Sequence, residues 1–297
     1  MAKDSIKSLK TPLRYPGGKS KALKTLSPWF PQRISEYREP FIGGGSVAIN
    51  FTKSNPDVPV WINDLYVPLY NFWVQLRDRG EELSQRVREE KQRTLDEGDR
   101  DKVTAKAKEL FNRYKEEIDT YDDFEKAVAF FIMNKCSFSG LTENSTFSQT
   151  ASNSNFSLVG ADKLAQFSKL IKDWKITNLD YSKVMKATGS PDTFVFLDPP
   201  YDIKDFLYGK NREMHKKFDH DRFADDVYNC LYKFMITYNL NDRLLELYKN
   251  YNLKEWKLRY SMAHRGDKGT DENVKTELLV TNYSIVPQTS LEVALNG

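Results

Sequence analysis

The strongest chemical pattern in this 297-residue chain is Asp198-Pro199-Pro200-Tyr201, which directly follows the apolar run Thr193–Leu197. An acid at the carboxyl end of a buried parallel strand lies in the crevice where such sheets bind ligands. The prolines have fixed φ angles and no N–H groups, so nearby carbonyls can face a ligand. The pattern predicts a site in which Asp198 and the Pro199 carbonyl accept hydrogen bonds from an aromatic amine stacked on Tyr201. Such bonds draw the nitrogen toward tetrahedral geometry and align its lone pair with an electrophile.

A second pattern is rich in glycine and runs Phe41-Ile42-Gly43-Gly44-Gly45-Ser46, between a predicted strand and a predicted helix. Glycines there permit a tight turn and a close approach of the backbone to a ligand. Asp64 ends the next predicted strand about 20 residues later, where a nucleotide-binding βαβ unit places an acid on the ribose hydroxyls. Asp64 also suits the cap of the following helix, and both roles can hold at once. Together the patterns predict a site for a cofactor that carries adenosine.

A third pattern, Tyr15-Pro16-Gly17-Gly18-Lys19-Ser20, contains the Gly-Lys-Ser of phosphate-binding loops. The full loop needs a further glycine where this chain has Leu13, so the pattern excludes a P-loop NTPase. Two interpretations remain open. The glycines form a turn that presents Tyr15 and Lys19 to a ligand, or the segment is an ordinary helix start.

Composition excludes several classes of protein. The longest apolar run, Ala127–Met133, is far shorter than a membrane span of roughly 20 residues. Cys136 and Cys230 match no metal-ligand spacing, and the polar, basic stretch Met1–Lys24 lacks the apolar core of a signal peptide. We therefore expect a reduced cytoplasmic protein. The net charge of +3 is too small to indicate nucleic-acid binding by itself.

The elements that must position these patterns alternate between strands and helices in the first and last thirds of the chain. This alternation predicts a parallel α/β sheet. The predicted strands are 37–42, 58–63, 175–179, 193–197, 234–238, 253–262 and 277–283. The predicted helices are 20–30, 46–53, 66–77, 161–171 and 222–233.

The middle third has a different texture. Apolar residues recur at helical spacing in the charged stretch 77–126, which predicts an amphipathic helical insert with a turn at Asp96–Asp99. An apolar helix is predicted at Phe124–Asn134. The polar stretch 134–157 that follows is longer than the usual loop of a compact domain, and such stretches are usually functional or disordered.

In these motifs the chain resembles the Dam family, the D12 class of DNA adenine-N6 methyltransferases, in the alpha order of motifs. The resemblance covers most of the chain, to about Tyr283, and its motifs occur in the family's order. The matching segments are Tyr15–Lys19, Phe41–Gly45, Asn63–Asp64, Asn134–Leu141, Asp180–Tyr181 and Asp198–Tyr201.

The resemblance implies a Rossmann-like, SAM-dependent methyltransferase fold with a mostly parallel seven-stranded sheet. S-adenosyl-L-methionine (SAM) would be the methyl donor and N6 of adenine in duplex DNA the acceptor. Base flipping is expected, because a stacked adenine cannot present N6 in line with the methyl sulfonium. The catalytic domain would comprise residues 1–76 and 158–297, with a helical target-recognition domain inserted at 77–157.

The resemblance also implies roles for single residues. Asp198 would lie between cofactor and target amine, and Tyr201 would stack on the flipped base, with Pro199 and Pro200 completing the catalytic motif. Cofactor-binding residues would be Tyr15, Gly17, Gly18, Lys19, Phe41, Gly43, Gly45, Asp64, Asp180, Tyr181 and Asp198. No metal is implied, and the family default is a monomer in the cytoplasm of a bacterial cell or phage-infected host. The three histidines, His215, His220 and His264, are predicted to lie on the surface or the substrate side.

In the family, the loop that corresponds to Ser137–Asn144 enters the DNA, with an aromatic residue near the flipped base. The predicted DNA-binding residues are Lys135, Phe138, Ser139, Thr142, Asn144, Lys210 and Arg212, against the alternative of solvated loops. Lys135 replaces the usual arginine of the family. Glu143 falls near the guanine-reading arginine of GATC-specific members, and an acid cannot donate to guanine O6 and N7. The recognition sequence therefore stays open.

Three functions agree with these observations. The first is a site-specific DNA adenine methyltransferase, in restriction-modification, genome marking or phage self-protection. The second keeps the chemistry and changes the acceptor to RNA or another planar amide. The third is a non-catalytic nucleic-acid-binding relative, which the intact Asp64, Asp198 and glycines disfavour.

Overall fold

A seven-stranded sheet organises the chain in the computed structural model, which describes residues 6, 8–140, 145–201, 218–259 and 274–285. The strands are β1 (Glu36–Glu39), β2 (Val60–Asn63), β3 (Lys175–Thr177), β4 (Thr193–Leu197), β5 (Lys233–Asn239), β6 (Asn252–Arg259) and β7 (Val274–Thr281). Their order is β3-β2-β1-β4-β5-β7-β6, with β1 to β5 parallel and β7 antiparallel to both neighbours. The prediction of a mostly parallel sheet in a Rossmann-like methyltransferase fold is confirmed.

The central strands are apolar because both faces of the sheet are covered. Every residue of β2 and β4 is buried, as expected for parallel strands with helices on either side. Arg38 in β1 is a fully buried exception. Its guanidinium binds the Glu36 carboxylate at 2.8 Å and also donates to three backbone carbonyls near the start of β4, so its charge and its donors are satisfied.

Helices precede and cover the strands. They are α1 (Leu23–Leu26), α2 (Ser46–Ser54), α3 (Val67–Leu95), α4 (Arg100–Glu117), α5 (Asp123–Cys136), α6 (Gln149–Asn155), α7 (Leu158–Ile171), α8 (Tyr181–Lys186), α9 (His220–Tyr228) and α10 (Asp242–Leu247). The helices α8 and α10 were not predicted from the sequence, because each has only six residues.

Two predicted helices are wrong in extent. The segment 20–30 is not one helix: α1 lies between the 3₁₀ turns Lys19–Lys21 and Ser27–Trp29. Pro28 has no N–H to continue the ladder, and Phe30, which precedes Pro31, is extended. The predicted helix 222–233 is too long at its end. The helix α9 ends at Tyr228, since Lys233 already pairs with Phe194 in the sheet.

The long helix α3 connects the sheet to the helical middle of the chain. Arg79 interrupts its helical geometry with φ −131° and ψ 32°. Next to it, Gly80 packs against Ser168 of α7 so closely that a Cβ would lie 2.2 Å from the serine side chain. The proposed domain boundary at 76/77 stays a prediction, and it falls inside this helix. None of the helices described is long and apolar enough for a membrane span.

Candidate functional site

The carboxyl ends of β1, β2, β3 and β4 meet at one edge of the sheet and bring distant motifs together. Lys19 contacts Asp198, Gly43 contacts Asp64, and the rings of Phe41 and Tyr181 lie 5.3 Å apart. Asn63, which is almost fully buried, ties the edge together. Its amide donates to the carbonyls of Pro40 and Leu179 at 3.1 and 2.9 Å, and its oxygen accepts the Leu179 N–H at 2.8 Å.

The Asp198 carboxylate is bound by the ammonium group of Lys19. Lys19 Nζ lies 2.8 and 2.9 Å from the two carboxylate oxygens and donates to the Gly17 carbonyl at 3.1 Å. Lys19 is 2% exposed and Asp198 is 21% exposed, so solvent reaches the acid and not the base. Lys19 Nζ also lies 5.0 Å from the centre of the Tyr201 ring. The ion pair therefore joins the first and the third sequence motifs into one site.

Thr237 is a second partner of Asp198, and the sequence patterns did not identify it. Because Leu197 pairs with Ile236 in the parallel register, the next residues of both strands lie side by side. Thr237 is fully buried and donates from Oγ1 to Asp198 Oδ1 at 2.8 Å. Its only sequence signal is a hydroxyl within the otherwise apolar run of β5.

A second acid, Glu39, lies buried behind Asp198 at the end of β1. It accepts a hydrogen bond from the Tyr37 hydroxyl at 2.7 Å. Burial raises the pKa of Glu39 to about 8; the Tyr37 hydrogen bond opposes that rise, and the nearby Asp198 charge adds to it. At neutral pH the protonated form of Glu39 is therefore favoured.

The Asp64 carboxylate is held by backbone N–H groups. Its two oxygens accept the backbone N–H groups of Gly43 at 3.1 Å and Tyr66 at 3.0 Å. Burial raises its pKa to about 6, although these backbone hydrogen bonds favour the ionised form. The predicted role of Asp64 as the cap of this helix is wrong, because the cap position is Tyr66, two residues later; Asp64 binds the N–H of that cap residue instead. The role on a ribose stays a prediction.

The glycines after β1 are required by close packing. Gly43 has φ +48°, and a Cβ there would lie 2.8 Å from the Tyr15 ring. Gly45 has φ +69°, and a Cβ there would lie 2.6 Å from the Trp73 ring. L-residues other than glycine rarely adopt such φ angles. The close approaches shown are to two aromatic rings of the chain itself, and the approach of this backbone to a ligand stays a prediction.

Asp180 and Tyr181 lie at the start of α8, beside Phe41. Burial alone would raise the pKa of Asp180, but hydrogen bonds from Arg222 and Ser182 hold it below its usual range. Arg222 lies 2.8 Å from the Asp180 carboxylate. The Tyr181 hydroxyl donates to the buried Asp226 at 2.9 Å, which fixes the ring against Phe41. An acceptor and two rings thus lie at the same end of the site.

The predicted DNA-binding residues are only partly described. Phe138 is 65% exposed, immediately after an isolated antiparallel bridge between Ser137 and Phe147. Lys135 lies 5.0 Å from the Phe131 ring, and burial, with the nearby Arg14 charge, lowers its pKa to about 8. The side chain of Ser139 and the residues Thr142, Glu143, Asn144, Lys210 and Arg212 lie outside the described residues.

Of the three histidines, His215 and His264 lie outside the described residues. His220 is the described one, and its ring contacts those of Phe218 and Tyr238. Within the described part of the chain, no three His, Cys, Asp or Glu side chains are grouped so that they could hold a metal ion.

Comparisons with known proteins agree with this geometry. A family model described as D12 class N6 adenine-specific DNA methyltransferase matches residues 15–262. The chain is 26% identical to the Type II methyltransferase M.MjaIII of Methanocaldococcus jannaschii, over 91% of the chain and 98% of the relative. It is 26% identical to M1.LlaDCHI of Lactococcus lactis, over 91% and 94%. It is 25% identical to M.CviBI of Paramecium bursaria Chlorella virus NC1A, over 93% and 100%.

Proposed function

The chain belongs to the D12 class of N6 adenine-specific DNA methyltransferases, and from that premise we propose that it transfers a methyl group from SAM to N6 of adenine in duplex DNA. The observation that carries the proposal is the Asp198 carboxylate at the end of β4, held by Lys19 and Thr237 and followed by Pro-Pro-Tyr. The similarity to Type II methyltransferases supports a modification enzyme of a restriction-modification system.

The residues at the sheet edge fit SAM by the chemistry of their side chains. The Asp64 and Asp180 carboxylates can accept hydrogen bonds from ribose hydroxyls and from an adenine amine. The rings of Phe41 and Tyr181 offer apolar faces to a purine. When bound, SAM supplies an electrophilic methyl group on a sulfonium. Binding and orientation of that group are the tasks of the chain.

Asp198 would act on the amine of the target adenine. Its Oδ1 atom accepts hydrogen bonds from both Lys19 and Thr237, whereas Oδ2 accepts from Lys19. A carboxylate oxygen accepts two bonds readily, so Oδ2 retains capacity for an N–H of the amine. The Pro199 carbonyl would accept the second N–H. Positioning of the nitrogen lone pair, with charge held nearby, would supply most of the catalysis.

The target base must leave the DNA helix to reach this site. Enzymes that act on a stacked base extrude it, at a cost of a few kcal/mol. The Tyr201 ring, next to the catalytic acid, would stack on the extruded adenine. The exposed Phe138 ring, on the segment that follows α5, would lie near the gap in the duplex.

Methyl transfer from labelled SAM tests the proposal directly, with duplex DNA and RNA as separate acceptors. We expect label on N6 of adenine in DNA, and sequencing of methylated positions in cells that express the chain should give the target. Asp198→Asn should reduce transfer by at least about a hundredfold while SAM still binds in calorimetry. Asp192→Asn is the matched control, because Asp192 lies at the opposite end of β4 and pairs with Lys233.

Three outcomes would count against the proposal. Label on RNA alone would change the acceptor. Full activity of Asp198→Asn would remove the proposed mechanism. Failure of the unaltered protein to bind SAM would favour a non-catalytic nucleic-acid-binding protein.

A further inference from the structure

A buried asparagine in the last turn of α5 binds the backbone of Arg14, the residue before the Tyr15–Ser20 pattern. Asn134 is 1% exposed. Its Oδ1 accepts the Arg14 N–H at 2.9 Å, and its Nδ2 donates to the Arg14 carbonyl at 2.8 Å. The same Nδ2 donates to the Gly140 carbonyl at 2.8 Å. One side-chain amide thus connects residues that are 120 and 6 positions away in the sequence.

Two further contacts lie beside these hydrogen bonds. Arg14 Nη1 donates to the Ser137 carbonyl at 2.7 Å. Gly140 has φ +77°, and a Cβ there would lie 2.3 Å from the Arg14 carbonyl oxygen, so the joint requires glycine. We call this set of contacts the Asn134 joint: Asn134, Arg14, Ser137 and Gly140.

The two sides of the Asn134 joint reach different parts of the molecule. Beyond Arg14 the chain continues to Tyr15, which packs on the glycines after β1, and to Lys19, which pairs with Asp198. On the other side, Ser137 and Gly140 flank the exposed Phe138. Buried polar groups with several partners are costly to leave unsatisfied, so the joint resists separate movement of its sides.

We propose that Asn134 is a positioning residue that couples the cofactor site to the DNA-reading segment after α5, by which we mean residues 137–140. This inference rests on the proposed function, because it takes the glycine-rich edge as the cofactor site and Phe138 as part of the DNA-facing surface. A cofactor that holds Tyr15 and Lys19 in place also holds Arg14, and through Asn134 it holds the base of the DNA-reading segment. Coupling between two binding sites is reciprocal, so DNA strengthens cofactor binding by the same factor.

The test compares two dissociation constants for DNA, one measured without the cofactor analogue sinefungin and one measured with it. The first divided by the second is the coupling ratio. Anisotropy of a labelled duplex that contains the sequenced methylation site gives both constants. We expect a ratio of at least about five in the unaltered protein. Asn134→Asp keeps the size of the side chain and an acceptor for the Arg14 N–H but loses both Nδ2 hydrogen bonds. It should bring the ratio close to one, while sinefungin alone binds within about threefold of the unaltered protein.

Asn155→Asp is the matched control. Asn155 lies in α6, and its amide donates to the Ala151 carbonyl within that helix. This variant should retain the full ratio. A merely structural role of Asn134 would lower the thermal stability of Asn134→Asp and leave its ratio as high as that of the control.

Arg14→Ala keeps the inference testable if Asn134→Asp does not fold. It removes the guanidinium bond to Ser137 and leaves the backbone bonds to Asn134, so the ratio should fall part of the way. A ratio of one in the unaltered protein, or an unchanged ratio in the variants that fold, overturns the inference. Absence of methyl transfer by the unaltered protein would instead overturn the proposed function.

Discussion

Two acids at the same edge of the sheet are held in opposite ways. Asp198, after β4, is bound by the buried ammonium of Lys19 and by the Thr237 hydroxyl. Asp64, after β2, is bound by backbone N–H groups, and burial raises its pKa to about 6. A nearby cation favours the ionised form of an acid, whereas burial favours the neutral form. The comparison indicates that a fall in pH through about 6 acts on the Asp64 end of the site.

Removal of the Lys19 ammonium group should have the largest effect on the difference between the two acids. Lys19→Met leaves Asp198 without its ammonium partner and should lower kcat/KM at least about a hundredfold. It should also lower the free energy of unfolding by about 2 kcal/mol, less than for a fully buried pair, because solvent reaches Asp198. Steady-state kinetics and urea unfolding measure the two effects.

Lys21→Met is the control for this substitution, because Lys21 is exposed in the same 3₁₀ turn. Its activity should stay within about twofold of the unaltered protein. Activity of Lys19→Met near that level would mean that Thr237 alone suffices to hold Asp198.

The contribution of Asp64 is tested by measuring SAM affinity at a series of pH values. The pKa of Asp64 is raised to about 6, so the carboxyl gains its proton as the pH falls through that value. Ribose hydroxyls bond more strongly to an ionised acceptor, so the affinity for SAM should fall about tenfold between pH 7 and pH 5. Asp180 stays ionised over this range because its pKa lies below its usual value. Calorimetry at several pH values measures the trend.

Asp64→Asn should bind SAM more weakly at pH 7 and show a flat profile down to pH 5. Asp57→Asn, at the exposed opposite end of β2, should retain the profile of the unaltered protein. A profile for Asp64→Asn as steep as that of the unaltered protein would assign the titration to another group.

The smallest expected effect concerns the Thr237 hydroxyl. Thr237→Val conserves shape and removes one of three hydrogen bonds to Asp198, so kcat should fall about three- to tenfold with KM for SAM unchanged. Thr281→Val is the matched control, because Thr281 is also buried in the sheet and donates to the Tyr283 carbonyl at 2.7 Å. An equal loss of kcat in both variants would indicate a general effect on packing.

The sequence predicted the parts of this site that depend on local pattern. Apolar runs that end in an acid or a glycine predicted the seven strands, and motif order placed Lys19, Asp64 and Asp198 at one edge. Thr237 and Glu39 could not be predicted, because their contacts depend on which strands are neighbours and in which register. The break in the helix at Pro28 was predictable from the missing N–H and was overlooked.

The bridge between Ser137 and Phe147 fixes the two ends of the segment between them. Together with the Ser148 N–H, which donates to the Cys136 carbonyl at 2.8 Å, it closes the ends of the intervening segment against the helices α5 and α6. A closed loop tolerates new length at little cost, about 0.6 kcal/mol for each doubling. Because the ends at residues 137 and 147 are held in this way, a change of length between them should leave α5 and α6 in place, provided that glycine is kept at position 140. Exchange of the residues between these two ends with those of a relative is therefore expected to leave the contacts at both ends intact.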